Sequence, residues 1–93
     1  MVLGVRRWEL HLEGCHSLKE KRSVIKPIVN GLRKTFNVSV AETGHHDLWQ
    51  RAELACAALG TDRRVVEETL RSADRMMDES DGVRIIDTLT EYR

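Results

Sequence analysis

Hydrophobic and polar positions change period along the chain, and the changes divide it into six segments. Within Val5–Glu13, Trp8, Leu10 and Leu12 alternate with Glu9, His11 and Glu13, the two-residue period of a half-buried strand. Beyond Gly14-Cys15-His16 the period lengthens. Leu18, Ile25, Ile28, Val29, Leu32 and Phe36 recur at helical spacing, behind Ser17 as N-cap and Glu20 three positions on, the pattern of a capping box. Pro27 lies inside this helix, where it removes a hydrogen bond to the Ser23 carbonyl and costs ~3 kcal/mol unless a kink absorbs it. The apolar stripe runs past Pro27, which predicts a bend rather than an end, and Asn37 closes the helix. Val38 to Thr43 then reads as a strand, Gly44 to Gln50 as a polar loop, and Arg51 to Leu59 as a third strand closed by Gly60. Thr61 or Asp62 caps a second helix with Val66, Leu70, Ala73 and Met77 on one face. Its outer side carries Arg63, Glu67, Arg71 and Arg75, with Glu67 and Arg71 spaced to pair. Ser80-Asp81-Gly82 is a turn, and Val83 to Tyr92 is the last strand.

The order β-α-β-β-α-β predicts an α+β fold, a ferredoxin-like two-layer sandwich. With right-handed crossovers, two helices pack on one face of a four-stranded antiparallel sheet of order 4-1-3-2. The third strand is apolar on both sides, Leu54, Cys56 and Ala58 on one and Ala55, Ala57 and Leu59 on the other. Such a strand is usually covered twice. The helices cover one side, so a homodimer is expected to cover the other. Face packing with His11 near the axis is the favoured arrangement, and pairing through the edge strand Val38 to Thr43 is the alternative.

A chain of 93 residues is expected to form one domain, residues 1–93. Apolar content of 41% with 32% charged residues argues against disorder. No apolar run approaches the ~20 residues of a membrane span, so no membrane partner is expected. The N-terminal residues lack the basic-then-apolar order of a secretory signal. Cys15 and Cys56 form no CxxC pair, and the chain is read as cytoplasmic with free thiols. Net charge is zero but unevenly spread: residues 1–40 carry eight Lys/Arg against three Glu, and residues 41–93 seven Arg against twelve Asp/Glu. Whether the halves become separate patches depends on how the fold interleaves them.

The basic cluster at the first helix is Lys19, Lys21, Arg22 and Lys26, with Arg33 and Lys34 further along. Together with helix-start amides near Ser17, these residues suit phosphate, in RNA or another anion. Glu20 has no base four residues on, so local pairing along the helix leaves the cations free. A solvated helix face is the plainer reading, and a neutral domain is less basic than most RNA binders. With one Tyr and one Phe, the sheet lacks the exposed aromatic pair of RNA-recognition sheets. RNA would therefore meet the helix side or the loops.

His45, His46 and Asp47, with His11, His16 and the cysteines elsewhere, invite a metal reading. Adjacent loop histidines tend to point apart and no ligand-pair spacing is present, so no metal and no cofactor are expected. Cys56 in an apolar strand is a poor nucleophile. Cys15 is near a helix start that would lower its pKa, but no third group orients it, so no catalytic residue is assigned. Trp49, beside Arg51 in the polar loop, is either a lid on the sheet or an anchor for a partner.

Three blocks carry a resemblance. They are His16-Ser17-Leu18-Lys19-Glu20-Lys21-Arg22, Phe36-Asn37-Val38-Ser39-Val40-Ala41-Glu42 and Asp47-Leu48-Trp49-Gln50-Arg51-Ala52. In this order and spacing the chain resembles the bacterial YlxP-like family, a domain of unknown function of similar length. The resemblance implies a ferredoxin-like fold, a small cytoplasmic protein and a link to translation, because relatives are often encoded beside ribosome-maturation and initiation factors. It implies no catalytic residues, and Pro27 departs from the usual helix. The expected function is a non-enzymatic dimeric module at the ribosome or its RNA, with DNA not an expected partner. The alternative is a small-ligand or protein-binding regulatory domain.

Overall fold

The computed structural model, which describes residues 1–93, joins β1 (Val2–His11), α1 (Leu18–Thr35), β2 (Val38–Gly44), β3 (Arg51–Gly60), α2 (Arg63–Asp78) and β4 (Arg84–Tyr92). The strands make one antiparallel sheet in the order β2-β3-β1-β4, the expected 4-1-3-2 order read from the other edge. Trp8, Leu10, Val40, Leu54 and Cys56 point to one side of it, where they meet Ile25, Ile28 and Leu32 of α1 and Val66, Leu70, Ala73 and Met77 of α2. These residues form a single buried core. At Gly4 an added Cβ would stand 2.6 Å from Val66 Cγ1, so the bare backbone lets α2 lie close over β1.

Local chemistry sets the element ends. Ser17 Oγ accepts the amide of Glu20 at 3.1 Å, and the Glu20 carboxylate reaches back to the amide of His16 at 2.6 Å. The first helix is thereby capped reciprocally, one residue longer than a standard capping box. It continues through Pro27 to Thr35, with Phe36 as its C-cap. Of the two candidate caps for α2, Asp62 serves, accepting the Arg64 amide at 2.8 Å. Glu67 pairs with Arg63 at 3.1 Å rather than with Arg71.

β1 begins at Val2, three residues before the sequence pattern places it, and ends at His11. It pairs with β3 along its whole length, from Val2 opposite Gly60 to His11 opposite Arg51. Arg6 hides the alternation there, because it stands on the helix side among apolar residues. Asp74 of α2 meets the Arg6 guanidinium at 2.7 Å, the Trp8 indole N–H donates to the same carboxylate at 2.8 Å, and Thr90 accepts from Arg6 as well. Hydrogen bonding of this kind is what permits a charge beneath a helix.

No element of the chain covers the other side of the sheet. Register places Leu3 opposite Leu59, Val5 opposite Ala57 and Glu91, Arg7 opposite Ala55 and Leu89, and Ala41 opposite Ala55. That side is apolar at the start of β1 and charged at its end, where Glu9, His11, Arg51 and Glu53 lie. His11 is thus at the charged end and not at the centre of the apolar patch.

Candidate anion-binding groove

Between α1 and the edge strand β2 runs a groove of about 490 Å3, lined by Leu18, Ile25 and Val29 and rimmed by Arg22, Lys26 and Arg33. Glu42 and His46 complete the lining from β2 and its following loop. Lys19, Arg22, Lys26 and Lys34 are exposed, and their side chains enter no ion pair or hydrogen bond; of the α1 cations only Lys21 and Arg33 are engaged. Of the residues proposed for anion binding, Lys19, Arg22 and Lys26 therefore present free charge, and the groove gathers the last two.

Lys21 departs from that set. It is 3% exposed, with its ammonium 2.9 Å from a Glu42 carboxylate oxygen and donating to the His45 carbonyl at 2.7 Å. The Glu42 contact is a close ion pair lying off hydrogen-bond geometry. Lys21 belongs to the packing of helix on strand, and a reversal of its charge would disturb the fold. Ser17 is likewise occupied by its capping bond, with the Glu20 carboxylate beside it. Of the helix-start amides that of Glu20 is thereby taken, and a carboxylate stands at the same helix start, so the free cations are the stronger attraction for an incoming anion.

The strand wall of the groove is blocked as an edge. Arg33 donates to the Val40 carbonyl at 2.6 Å, and the His46 ring lies 3.2 Å from the Glu42 carbonyl. Residues two apart on a strand aim their carbonyls the same way, here to the free edge. Capping both removes acceptors that another strand would need.

The loop from β2 to β3 is held from both sides of the sheet. His45, at φ 60, gives its carbonyl to Lys21 and places its ring 2.9 Å from Glu9 on the open side. Arg51 donates to the same Glu9 oxygen at 2.8 Å, so its guanidinium is already partnered. Burial works to raise the Glu9 carboxyl, but hydrogen bonds and positive charge from Arg51 and His45 outweigh it and hold it below the usual carboxylate range. Trp49 is 51% exposed, beside Leu48, in a shallow cavity of about 500 Å3 that also includes His16 and Arg51. It is therefore no lid over the core.

The remaining chemistry is muted. The His45 ring turns to Glu9 and the His46 ring to Glu42, and no three His, Cys, Asp or Glu side chains converge to hold a metal ion. Burial pushes the Cys56 thiol up to about 11, with Arg6 opposing weakly. Cys15 is also raised, by burial and then by Glu20, where its place before a helix suggested a lowered value.

Sequence reasoning missed Glu42, although a signal existed. It continues the helix-facing alternation of Val38 and Val40, and a carboxylate on a buried face demands a cation.

A family model for proteins of unknown function, DUF503, matches residues 3–90. Uncharacterized protein YlxP of Bacillus subtilis (strain 168) is 33% identical over 91 residues, covering 98% of this chain and 99% of that protein. Among solved structures, a mutant of SnoaB, a cofactor-independent oxygenase from Streptomyces nogalater, aligns over 99% of this chain and 89% of that one. The TM-score is 0.43 and the identity 14%, too loose a likeness to bear on activity.

Proposed function

The chain belongs to the DUF503 family, whose function is unknown, and on that footing we propose that it is a non-enzymatic module that binds RNA phosphates, in the setting of the ribosome, along α1. The carrying observation is the set of free cations Lys19, Arg22 and Lys26, unpaired although acidic residues abound elsewhere on the chain. Free Lys and Arg on a helix neutralise phosphates and release counterions, the main source of affinity for nucleic acid. The two thiols are buried and raised in pKa, which supports a module without a nucleophile, and free cysteines suit a cytoplasmic setting. Trp49 supplies a second contact outside the groove, an exposed aromatic of the kind that anchors partners.

The test is co-sedimentation with ribosomal subunits, and anisotropy with a labelled ribosomal RNA fragment, at two salt concentrations. Reversing Lys19, Arg22 and Lys26 to Glu should abolish binding, while the circular dichroism spectrum and melting midpoint stay near native. Reversing one cation at a time should reduce the slope of log affinity against log salt by about 0.7–0.9 for each phosphate no longer neutralised. Binding that survives the triple reversal would move the RNA surface to the loop around the exposed Trp49.

A second reading, a small-ligand or protein-binding regulatory domain, rests on the apolar lining of the same groove. Leu18, Ile25 and Val29 beside Arg22, Lys26 and Arg33 suit an anion with an apolar body. Such docking would weaken far less with salt than phosphate binding does.

A further inference from the structure

We infer that the open side of the sheet is a two-fold interface that takes a second copy of this chain. The patch at its centre combines Leu3, Val5, Ala55 and Ala57 with Leu59 and Leu89, the last two 61% and 44% exposed. Alanines along β3 leave room for close approach, and leucines from its end and from β4 supply apolar area to bury.

Charge selects the occupant. All four lysines of the chain lie on α1, and the open side has none. Its cations are Arg7, Arg51, Arg84 and Arg93, matched in number by Glu9, Glu53, Asp87 and Glu91. Arg7, Arg51 and Arg93 each stand beside a carboxylate of their own copy, Glu53 at 3.5 Å, Glu9 at 2.8 Å and Glu91 at 3.1 Å, and Arg84 lies opposite His11 at the charged margin. Lysine is depleted and arginine enriched at protein interfaces. A polyanion gains nothing from a face whose charges are already balanced, and an acidic or basic partner finds no excess to complement. A second copy brings the same balanced set, and two-fold rotation can lay Arg7 and Arg93 of one copy against Glu53 and Glu91 of the other.

The competing surfaces fit a second copy less well. Two α1 faces would set free lysines and arginines against one another. The β2 edge has its Val40 and Glu42 carbonyls capped by Arg33 and His46. Four strands about 4.8 Å apart and some ten residues long present several hundred Å2 in projection. That is the scale of the ~800 Å2 each partner buries in a specific interface. An axis through this patch leaves His11 at the charged margin.

Sedimentation equilibrium and light scattering on the whole chain test the inference. The native protein should be dimeric at micromolar concentration, with little change between low and high salt. Ala57→Glu sets two carboxylates in the apolar centre and should raise the dissociation constant at least a hundredfold. Leu89→Glu does the same from β4, so the inference stays testable if either variant folds poorly. Lys26→Glu on α1 should leave the dimer intact. A monomeric native protein overturns the inference, and so does a dimer that persists in either folded variant. Neither outcome touches the RNA reading, which rests on α1.

Discussion

Lys21 and Glu42 stand 2.9 Å apart across the seam between α1 and β2, and the same ammonium fastens the carbonyl of His45 at 2.7 Å. One side chain thus joins a helix, an edge strand and the loop that follows it. On the far side of the sheet the His45 ring rests on Glu9, which Arg51 also holds. The loop carrying Trp49 is therefore pinned at its start by contacts on both faces, and an exposed aromatic is presented on a fixed base. This arrangement divides the basic cluster of α1 in two, with Lys21 structural and Lys19, Arg22 and Lys26 free.

Replacing Lys21 by Met keeps most of the apolar stem and deletes the charge. Glu42 and the His45 carbonyl then lose their partner, and the fold should lose about 2 kcal/mol. Adding Glu42→Leu should recover part of that loss, because a balanced apolar pair replaces an orphaned carboxylate. Urea midpoints of the two single variants and the double variant give the coupling. A Lys21→Met protein as stable as the native one would show that the pair contributes nothing.

Asp74 ties α2 to β1 through Arg6 and Trp8, and Trp8 is fully buried. Asp74→Ala leaves the indole N–H without its acceptor and the Arg6 guanidinium with Thr90 alone, a loss of about 2–3 kcal/mol. Asp74→Asn retains an acceptor for the indole and should fall between the two. Thermal melts of the three proteins rank them, and equal midpoints would refute the anchor.

Both polar anchors explain what the sequence disclosed and what it hid. Trp8, Leu10 and Leu12 carry a period that only a strand produces, and Ile25, Ile28 and Leu32 one that only a helix does. The element order, and with it the sheet order, followed from these periods. The start of β1 did not, because Arg6 occupies a core-facing position and its partner's other contact, Trp8, lies 66 positions from Asp74. Lys21 read as one more cation in a run, yet its place between Leu18 and Ile25 puts it on the apolar stripe. Glu42 falls likewise in phase with Val40. Each half of the pair was visible as a charge on a buried face, but their meeting depends on how α1 lies over β2. The cavity between them, and the freedom of Arg22 and Lys26, depend on the same packing.

At the N-cap, Ser17→Ala removes the acceptor for the Glu20 amide at the head of α1 and should cost about 1 kcal/mol. Ser17→Asn, a good cap, should restore most of it. An unmoved denaturation midpoint in the alanine variant would mean that Glu20 alone closes the helix start.

The last expectation concerns acid. Glu9 accepts from Arg51 at 2.8 Å and contacts His45 at 2.9 Å, and its carboxyl is held below its ordinary value of 4.5. A carboxyl lower in the fold than in the unfolded chain adds stability that is fully present above the unfolded value. That increment drains away as pH falls through the lower, folded value, because protonating Glu9 then weakens both contacts. Glu9→Gln cannot ionise, so it should be less stable than the native chain at neutral pH. The gap between the two proteins should stay level down to about pH 5 and narrow progressively below about pH 4.5. Urea midpoints of both proteins, measured at neutral pH and in steps below pH 5, give that gap directly. Because native and variant share every other titrating group, acid effects from elsewhere in the chain largely cancel in the difference. A gap that stays constant into strong acid would show that shape and not charge at Glu9 holds the loop. A gap that widens on acidification would mean that the folded carboxyl lies above its unfolded value, with burial prevailing over Arg51 and His45.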